Sequence, residues 1–255
     1  MPPAVHPVAG LGFGSAAESY ERGRPSWAPE AVRLLESELG LGPGRVVADV
    51  AAGTGKLTRL LLPSGAAVVA VEPLPEMAGV LRRAVPGVPV AGGVAERLPL
   101  RDASVDAVAV AEAFHWFRTD EALAEVRRVL RPGGGVAMLW NQAGAEPEPW
   151  QVELGDLLAA LRDPSLPFTG GHSRDWAAEV AAADGFTPVA HRTFPHEQTC
   201  EPEDVVAGAL STSWVAGRPD EERRPFADEV RSMLRGHGSP LVVPLRSEVH
   251  WCHRA

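Results

Sequence analysis

Short, unbroken apolar runs alternate with amphipathic stretches along the first 141 residues of the chain. Apolar strands that alternate with helices are typical of a parallel sheet covered on both faces, so the chain is predicted to be an α/β protein with a doubly wound sheet. The predicted helices begin at the caps Ser26 and Thr119, near Lys56, and at Pro75. The predicted strands of this part are 45–50, 67–72, 88–91, 105–111 and 136–140.

The pattern loosens after Asn141, where turns rich in proline and glycine interrupt it. Amphipathic helices are predicted over 152–161 and 174–183, with a loop at 163–172 between them. The chain has 255 residues, of which 45% are hydrophobic, so it is long enough to bury one sizeable core. The later predicted elements are a strand at 187–196, helices at 202–215 and 220–235, and a last strand at 245–253.

Charge and apolar content exclude several classes of partner. The net charge is −9, the pI is about 5.4 and no long Lys/Arg run is present, so no nucleic-acid partner is expected. No apolar stretch approaches the roughly 20 residues that span a bilayer, and the first residues lack the pattern of a signal peptide. A cytoplasmic protein without a membrane partner is therefore predicted. Its two cysteines are expected to stay reduced, and its histidines lack metal-ligand spacing, so no metal is predicted.

The stretch 46–56, together with the apolar run 68–72, carries the most chemical information. It predicts a buried strand, a turn of small residues that opens a helix, and a second buried strand that ends in the acid Glu72. Small residues let a ligand approach the backbone, and a carboxylate at the end of the second strand can hold two ribose hydroxyls. The arrangement therefore predicts a nucleoside site.

Three ligand classes compete for this turn. A phosphate-binding P-loop is excluded, because Val50 stands where its first glycine belongs and Leu57 stands where it needs Ser or Thr. A dinucleotide motif is incomplete, because Thr58 takes the place of its third glycine. The third class carries an acid inside the motif, and Asp49 fits that place. A carboxylate there would repel a pyrophosphate but suits S-adenosylmethionine (SAM), which has a sulfonium, an ammonium and no phosphate.

With this motif the chain resembles the class I SAM-dependent methyltransferases, in particular the type 11 methyltransferase domain group. The resemblance implies a Rossmann-like, doubly wound, seven-stranded sheet with an antiparallel last strand and a helical cap insert. Ala51 stands where the family usually has the first of three glycines, a mild departure unless the backbone there needs a positive φ. Further matching segments, in the family's order and spacing, are 93–100, 106–108, 113–117 and 129–134.

The resemblance also implies one methyltransferase domain in four parts. These parts are an N-terminal flap (1–25), a SAM-binding core (26–141), a substrate cap (142–185), and strands six and seven with their intervening helices (186–255).

The same resemblance implies the residues that bind SAM. Glu72 would hold the ribose hydroxyls, and Asp49 would accept turn amides or reach the SAM amine through water. In the flap, Tyr20 would close the site and Arg24 would pair with the SAM carboxylate. The whole implied set is Tyr20, Arg24, Asp49, Ala51, Gly53, Gly55, Glu72, Pro73, Leu74, Ala95, Glu96 and Ala111.

On the acceptor side, His115 and Glu112 are the candidates for catalysis. His115 follows the fourth predicted strand, where it would act as a general base, position the substrate, or only bond to backbone and shape the pocket. Glu112 replaces a glutamine that is common in relatives, and it would attract the sulfonium or a cationic acceptor, or orient His115. The residues leave these alternatives open.

The expected activity is transfer of a methyl group from SAM, by in-line displacement, to O, N or C of a small organic acceptor, with S-adenosyl-L-homocysteine (SAH) as product. A role in secondary metabolism and a monomer or homodimer are expected. Two alternatives stay open. One is a SAM-binding sensor or cyclase-type catalyst that does not methylate, and the other is an NAD-dependent oxidoreductase.

Overall fold

The computed structural model describes residues 16–162 and 175–255, without the side chains of Trp176 and Ala177. Residues 1–15 of the predicted flap and the predicted loop at 163–172 lie outside the described residues, as does the predicted start of a helix at Arg174.

Seven strands form one sheet in the order β3-β2-β1-β4-β5-β7-β6. The first five strands are parallel, and β7 runs antiparallel to both of its neighbours, β5 and β6. This confirms the predicted α/β fold with an antiparallel last strand. The strands are β1 Val46–Val50, β2 Ala67–Val71, β3 Val90–Ala91, β4 Val105–Ala111, β5 Leu130–Ala143, β6 Ala190–Cys200 and β7 Leu241–His253.

Helices cover both faces of the sheet. Among the described residues, no helix combines the length and the apolar character needed to cross a bilayer. Two short 3₁₀ turns lie at Leu62–Ser64 and Phe114–Trp116. The helices are α1 Ala17–Gly23, α2 Pro29–Glu38, α3 Lys56–Leu61, α4 Pro75–Ala84, α5 Thr119–Val129, α6 Pro149–Ala160, α7 Trp176–Ala182, α8 Pro202–Leu210, α9 Ser213–Ala216 and α10 Asp220–Leu234.

Both predicted helix caps are wrong. Helix α2 begins at Pro29 after Ala28, and no side chain caps it, because the fixed φ of proline already suits a first helical position. The carbonyl of Ser26 instead accepts a hydrogen bond from the side-chain amide of Asn141, at 2.9 Å. Thr119 is the first residue of α5 rather than its cap, and its hydroxyl donates to Glu179 on α7.

Strands β5 and β7 are longer than the apolar pattern predicts. Their ladder continues from Gly135 opposite His253 to Ala143 opposite Leu245. The polar residues Asn141 and Gln142 read as the start of a loop, yet pairing needs only their backbone groups. The extension places both side chains near the carboxyl end of β5, beside the candidate site described below.

A separate apolar cluster joins α6 to the helices that follow β6. Its buried members include Trp150 of α6, Val206 of α8, and Phe226 and Val230 of α10. Helices α6, α8 and α10 therefore pack against one another and form a helical layer. This layer packs against the end of the β6–β7 ladder where Cys200 pairs with Leu241. That residues 142–185 act as a substrate cap stays a prediction.

Candidate active site

The turn after β1 uses left-handed backbone at three positions. The φ angles are +55° at Ala51, +58° at Gly53 and +86° at Gly55. Glycine adopts this region freely, whereas an L-residue is strained by about 1–2 kcal/mol. Ala51 therefore sits where the family's glycine is needed. Its methyl group is accommodated with strain.

Glu72 closes the same turn from the end of β2. It is buried, and its two carboxylate oxygens accept hydrogen bonds from the backbone amides of Gly53, at 2.8 Å, and Leu74, at 2.9 Å. Burial raises the pKa of Glu72 to about 7. Each oxygen keeps a second lone pair, so the carboxylate can accept two further hydrogen bonds.

Asp49 lies behind the turn rather than in it. The residue is 1% exposed, and its carboxylate accepts a hydrogen bond from the hydroxyl of Thr58, at 2.6 Å. Burial raises the pKa of Asp49 to about 7. Thr58, which reads as a departure from a glycine motif, is thus the partner that fixes Asp49 to the first turn of α3.

A cavity opens beside this turn, with about 740 Å³ of empty space that includes its mouth. Most of the predicted cofactor residues line it, namely Tyr20, Ala51, Gly53, Glu72, Pro73, Leu74, Ala95, Glu96 and Ala111. Glu112 also lines it, together with Met77, Gly93, Val94, Ala113, Trp116 and Phe117.

The remaining predicted cofactor residues, Arg24, Asp49 and Gly55, are not among the described residues that line this cavity. The guanidinium of Arg24 donates to the hydroxyl and carbonyl oxygens of Ser211, at 3.0 and 3.3 Å, and lies 5.4 Å from the ring centre of Tyr20. Gly55 is the N-cap residue just before α3, and a Cβ there would lie 2.9 Å from Leu81, so Gly55 serves helix packing.

Helix α1 is held against α8 by contact between two backbones. A Cβ at Gly23 would lie 1.9 Å from the backbone nitrogen of Gly208, so only glycine fits there. Arg22 also pairs with Asp204 of α8, at 2.6 Å. The helix that carries Tyr20 over the cavity is therefore anchored on the helical layer.

Glu112 sits at the end of β4 with a φ of +55°. Its carboxylate accepts a hydrogen bond from the backbone amide of Asn141, at 2.5 Å. Burial raises the pKa of Glu112 to about 7. A glutamate in left-handed backbone is uncommon, and strained residues of this kind cluster at functional sites. The sequence contains no signal of this conformation.

His115 is not among the described residues that line the cavity, although its neighbours Ala113, Trp116 and Phe117 are. Its Nδ1 accepts a hydrogen bond from the indole N–H of Trp140, at 3.3 Å. Because Nδ1 is the acceptor, the proton of the neutral ring is on Nε2. This tautomer is a hydrogen-bond donor at Nε2.

A second cavity has about 1160 Å³ of empty space including its mouth. Among the described residues it has no lining residue in common with the first, but two contacts link the two linings. Arg24, which stacks on Tyr20, lines it, as does Asn141, whose amide bonds to Glu112. The sequence did not reveal this cavity, because its wall combines segments far apart along the chain. Its walls come from α1, β5, α6, β6, α8 and β7, and include Gln142, Trp150, Leu154, Leu158, Gln198, Val205, Val243 and Leu245.

Comparison with known proteins identifies relatives of this chain. A family model described as "Methyltransferase domain" matches residues 48–138. An uncharacterised methyltransferase of Mycobacterium tuberculosis is 40% identical over 227 residues, which cover 89% of this chain and 87% of that protein. The ubiquinone/menaquinone biosynthesis C-methyltransferase of Rubrivivax gelatinosus is 36% identical over 190 residues, 74% of this chain and 70% of that protein.

The fold is also that of a solved structure, a candidate type II methyltransferase of Anaeromyxobacter dehalogenans. The two structures superpose with a TM-score of 0.64 at 24% identity, over 91% of this chain and 97% of that chain. The 40% identity with the Mycobacterium protein across 89% of this chain shows the family, and the solved structure shows the shared fold. The chain belongs to the class I SAM-dependent methyltransferases.

Proposed function

We propose that this protein transfers a methyl group from SAM to a small organic acceptor and releases SAH. One observation carries the proposal. The cavity beside the glycine turn is lined by two carboxylates, the buried Glu72 and the partly exposed Glu112, and its lining residues Tyr20 and Glu112 contact Arg24 and Asn141, which line a second, larger cavity. Buried carboxylates without a cation are costly, so a ligand with a positive sulfonium and ammonium fits the site.

In the first cavity, the free lone pairs of Glu72 would accept the ribose hydroxyls. Pro73 and Leu74 would pack against the adenine, and backbone groups of Val94 and Ala95 would meet its edge. Tyr20 covers the opposite side from α1. The left-handed turn lets the amino-acid part of the donor approach the backbone at Gly53. These assignments account for a ligand without phosphate.

The second cavity would hold the acceptor. Leucine, valine and tryptophan side chains form much of its wall, and Arg24, Gln142 and Gln198 add polar groups. Such a wall suits an acceptor with an apolar body and a polar reacting group. The Rubrivivax relative, named for quinone biosynthesis, is consistent with an acceptor of this kind. Whether the acceptor belongs to secondary metabolism is a further prediction.

Glu112 is the group best placed to remove a proton from the acceptor. It lines the first cavity and is bonded to a wall residue of the second, so its carboxylate lies at the junction of the two. A pKa of about 7 is suitable for a general base near neutral pH. The hydrogen bond from Trp140 to Nδ1 leaves the Nε2 proton of a neutral His115 ring as a donor, so His115 suits positioning of the acceptor better than proton removal.

When bound, SAM supplies an activated methyl group, so the residues of the chain need only align the acceptor and exclude water. The test is incubation of the purified protein with methyl-labelled SAM and an extract of its source organism. Label should enter a small, solvent-extractable compound. Glu112→Gln should slow transfer and remove a limb of the pH profile near pH 7, while SAM affinity changes less.

Two outcomes would contradict parts of this proposal. If SAM binds tightly but no label is transferred, the protein is a SAM-binding sensor or a catalyst of another reaction. If label enters protein or RNA, the acceptor is a macromolecule and the second cavity has another purpose. His115→Ala should weaken acceptor use without shifting the pH profile, which separates positioning from base catalysis.

A further inference from the structure

Three side chains that can ligate a metal meet on one face of the sheet edge. The register pairs His191 of β6 with His250 of β7, and Glu248 precedes His250 by two residues, on the same face of β7. One ligand atom from each lies within 4.8 Å of the other two. We infer that His191, Glu248 and His250 form a binding site for a divalent transition-metal ion, with Zn²⁺ as the best candidate.

The chemistry of the ligand set supports this ion class. Two imidazoles and one carboxylate are ligands that zinc and its neighbours in the first transition series prefer. Ligand atoms about 2 Å from a tetrahedral ion lie about 3–4 Å apart, so side-chain movements on the order of 1 Å would close the set. His191 is exposed and the other two residues are partly exposed, so solvent ions can reach the site.

Neighbouring polar side chains already form hydrogen bonds to two of the three proposed ligands. The side-chain amide of Gln142 donates to Oε2 of Glu248, at 2.5 Å, and the hydroxyl of Thr193 lies 3.4 Å from Nε2 of His191. Such partners fix ligand geometry in known metal sites. The Nε of Arg246 also donates to Oε1 of Glu248, at 3.2 Å, and its positive charge opposes a cation, so the affinity should be moderate.

The two imidazoles are also available as ligands. Their rings stack with centroids 4.2 Å apart, so the two imidazoles already lie side by side. Metal binding requires neutral histidine, because the nitrogen lone pair forms the bond.

The site lies beside the two cavities rather than in them. The three ligands are not among the described residues that line either cavity. The ring of Trp140 lies edge-on to His250, with centroids 5.6 Å apart, and its indole N–H donates to His115. A bound ion would therefore clamp the edge strand β6 to β7, and this inference does not depend on the proposed methyl transfer.

Calorimetry on metal-free protein tests the inference. Titration with Zn²⁺ should show one ion bound per chain, and Co²⁺ in its place should give the visible absorption of a low-symmetry site. His191→Ala and Glu248→Gln should each weaken Zn²⁺ binding at least tenfold. His237→Ala removes an exposed histidine from the turn between α10 and β7, so it should leave the affinity unchanged.

The first two variants are chosen to preserve the fold, since His191 is exposed and glutamine keeps the shape of glutamate. Circular dichroism and SAM binding check that each variant is intact. Zn²⁺ should also raise the unfolding temperature of the parent protein, because an ion that binds only the folded state stabilises it. No binding by the parent protein, or equal affinity in all three variants, would overturn the site.

Discussion

Replacement of Glu72 tests the proposed cofactor site most directly. Its oxygens accept one backbone amide each, from Gly53 and Leu74, and each retains a lone pair toward the cavity. A hydrogen bond to a charged group contributes about 1.5–3 kcal/mol. We expect Glu72→Ala to weaken SAM binding by about 1–3 kcal/mol, which is about 5- to 150-fold in the dissociation constant.

The assay is calorimetric titration with SAM and SAH at pH 8, above the pKa of Glu72 of about 7, so that the carboxylate is ionised. Both ligands should lose affinity alike, because both carry the ribose. The matched control is Glu76→Ala, which removes the same charge from an exposed position in the first turn of α4. Urea unfolding checks that the turn survives. Unchanged SAM affinity in a folded Glu72→Ala variant would refute the placement of the ribose.

Three further predictions concern stability. Ala51→Gly should stabilise the protein by about 0.5–1 kcal/mol in urea unfolding, because it relieves left-handed strain, whereas Ala52→Gly, where φ is not positive, should destabilise it by a similar amount. Thr58→Val should lower the free energy of unfolding by about 1–3 kcal/mol at pH 8, because the buried carboxylate of Asp49 loses a hydrogen-bond donor. An unchanged free energy of unfolding would contradict the pairing of Thr58 with Asp49. The pKa of Glu72 rises from 4.5 in the unfolded chain to about 7 in the folded protein. Its contribution to the free energy of unfolding is therefore full below pH 4.5 and is lost as the pH rises through 7. Thermal unfolding should therefore show stability falling by roughly 3 kcal/mol from this residue over that range, and Glu72→Gln should flatten the slope.

The sheet and the nucleoside turn could be predicted from the sequence because their determinants are local. Apolar runs set the strands, and the spacing of Asp49, Gly53 and Glu72 sets the turn that joins them. The family's glycine at position 51 is also a local signal, since the φ of +55° at Ala51 shows that the backbone there needs a positive φ. Strand ends were missed because polar residues such as Gln142 extend a ladder through backbone pairing alone.

Other features depend on contacts that no local pattern encodes. The second cavity and the left-handed conformation of Glu112 arise where β4, β5 and the helical layer meet. His191 and His250 are 59 positions apart by their numbers, and only the register of β6 on β7 brings them together. Asp49 stands inside the motif and its partner Thr58 takes the place of a glycine in another motif, so no local pattern pairs the two.

The contact between Gly23 and Gly208 has a consequence for how the two cavities influence each other. Helix α1 covers the first cavity with Tyr20, and α8 lines the second cavity. Because the backbones of α1 and α8 touch, a movement of α1 that widens the first cavity must either break this contact or move α8 with it. Filling the second cavity would then change the free energy of opening the first, and the effect must be reciprocal. Donor and acceptor would bind with mutual cooperativity, set by a contact between two glycines that line the second cavity but not the first.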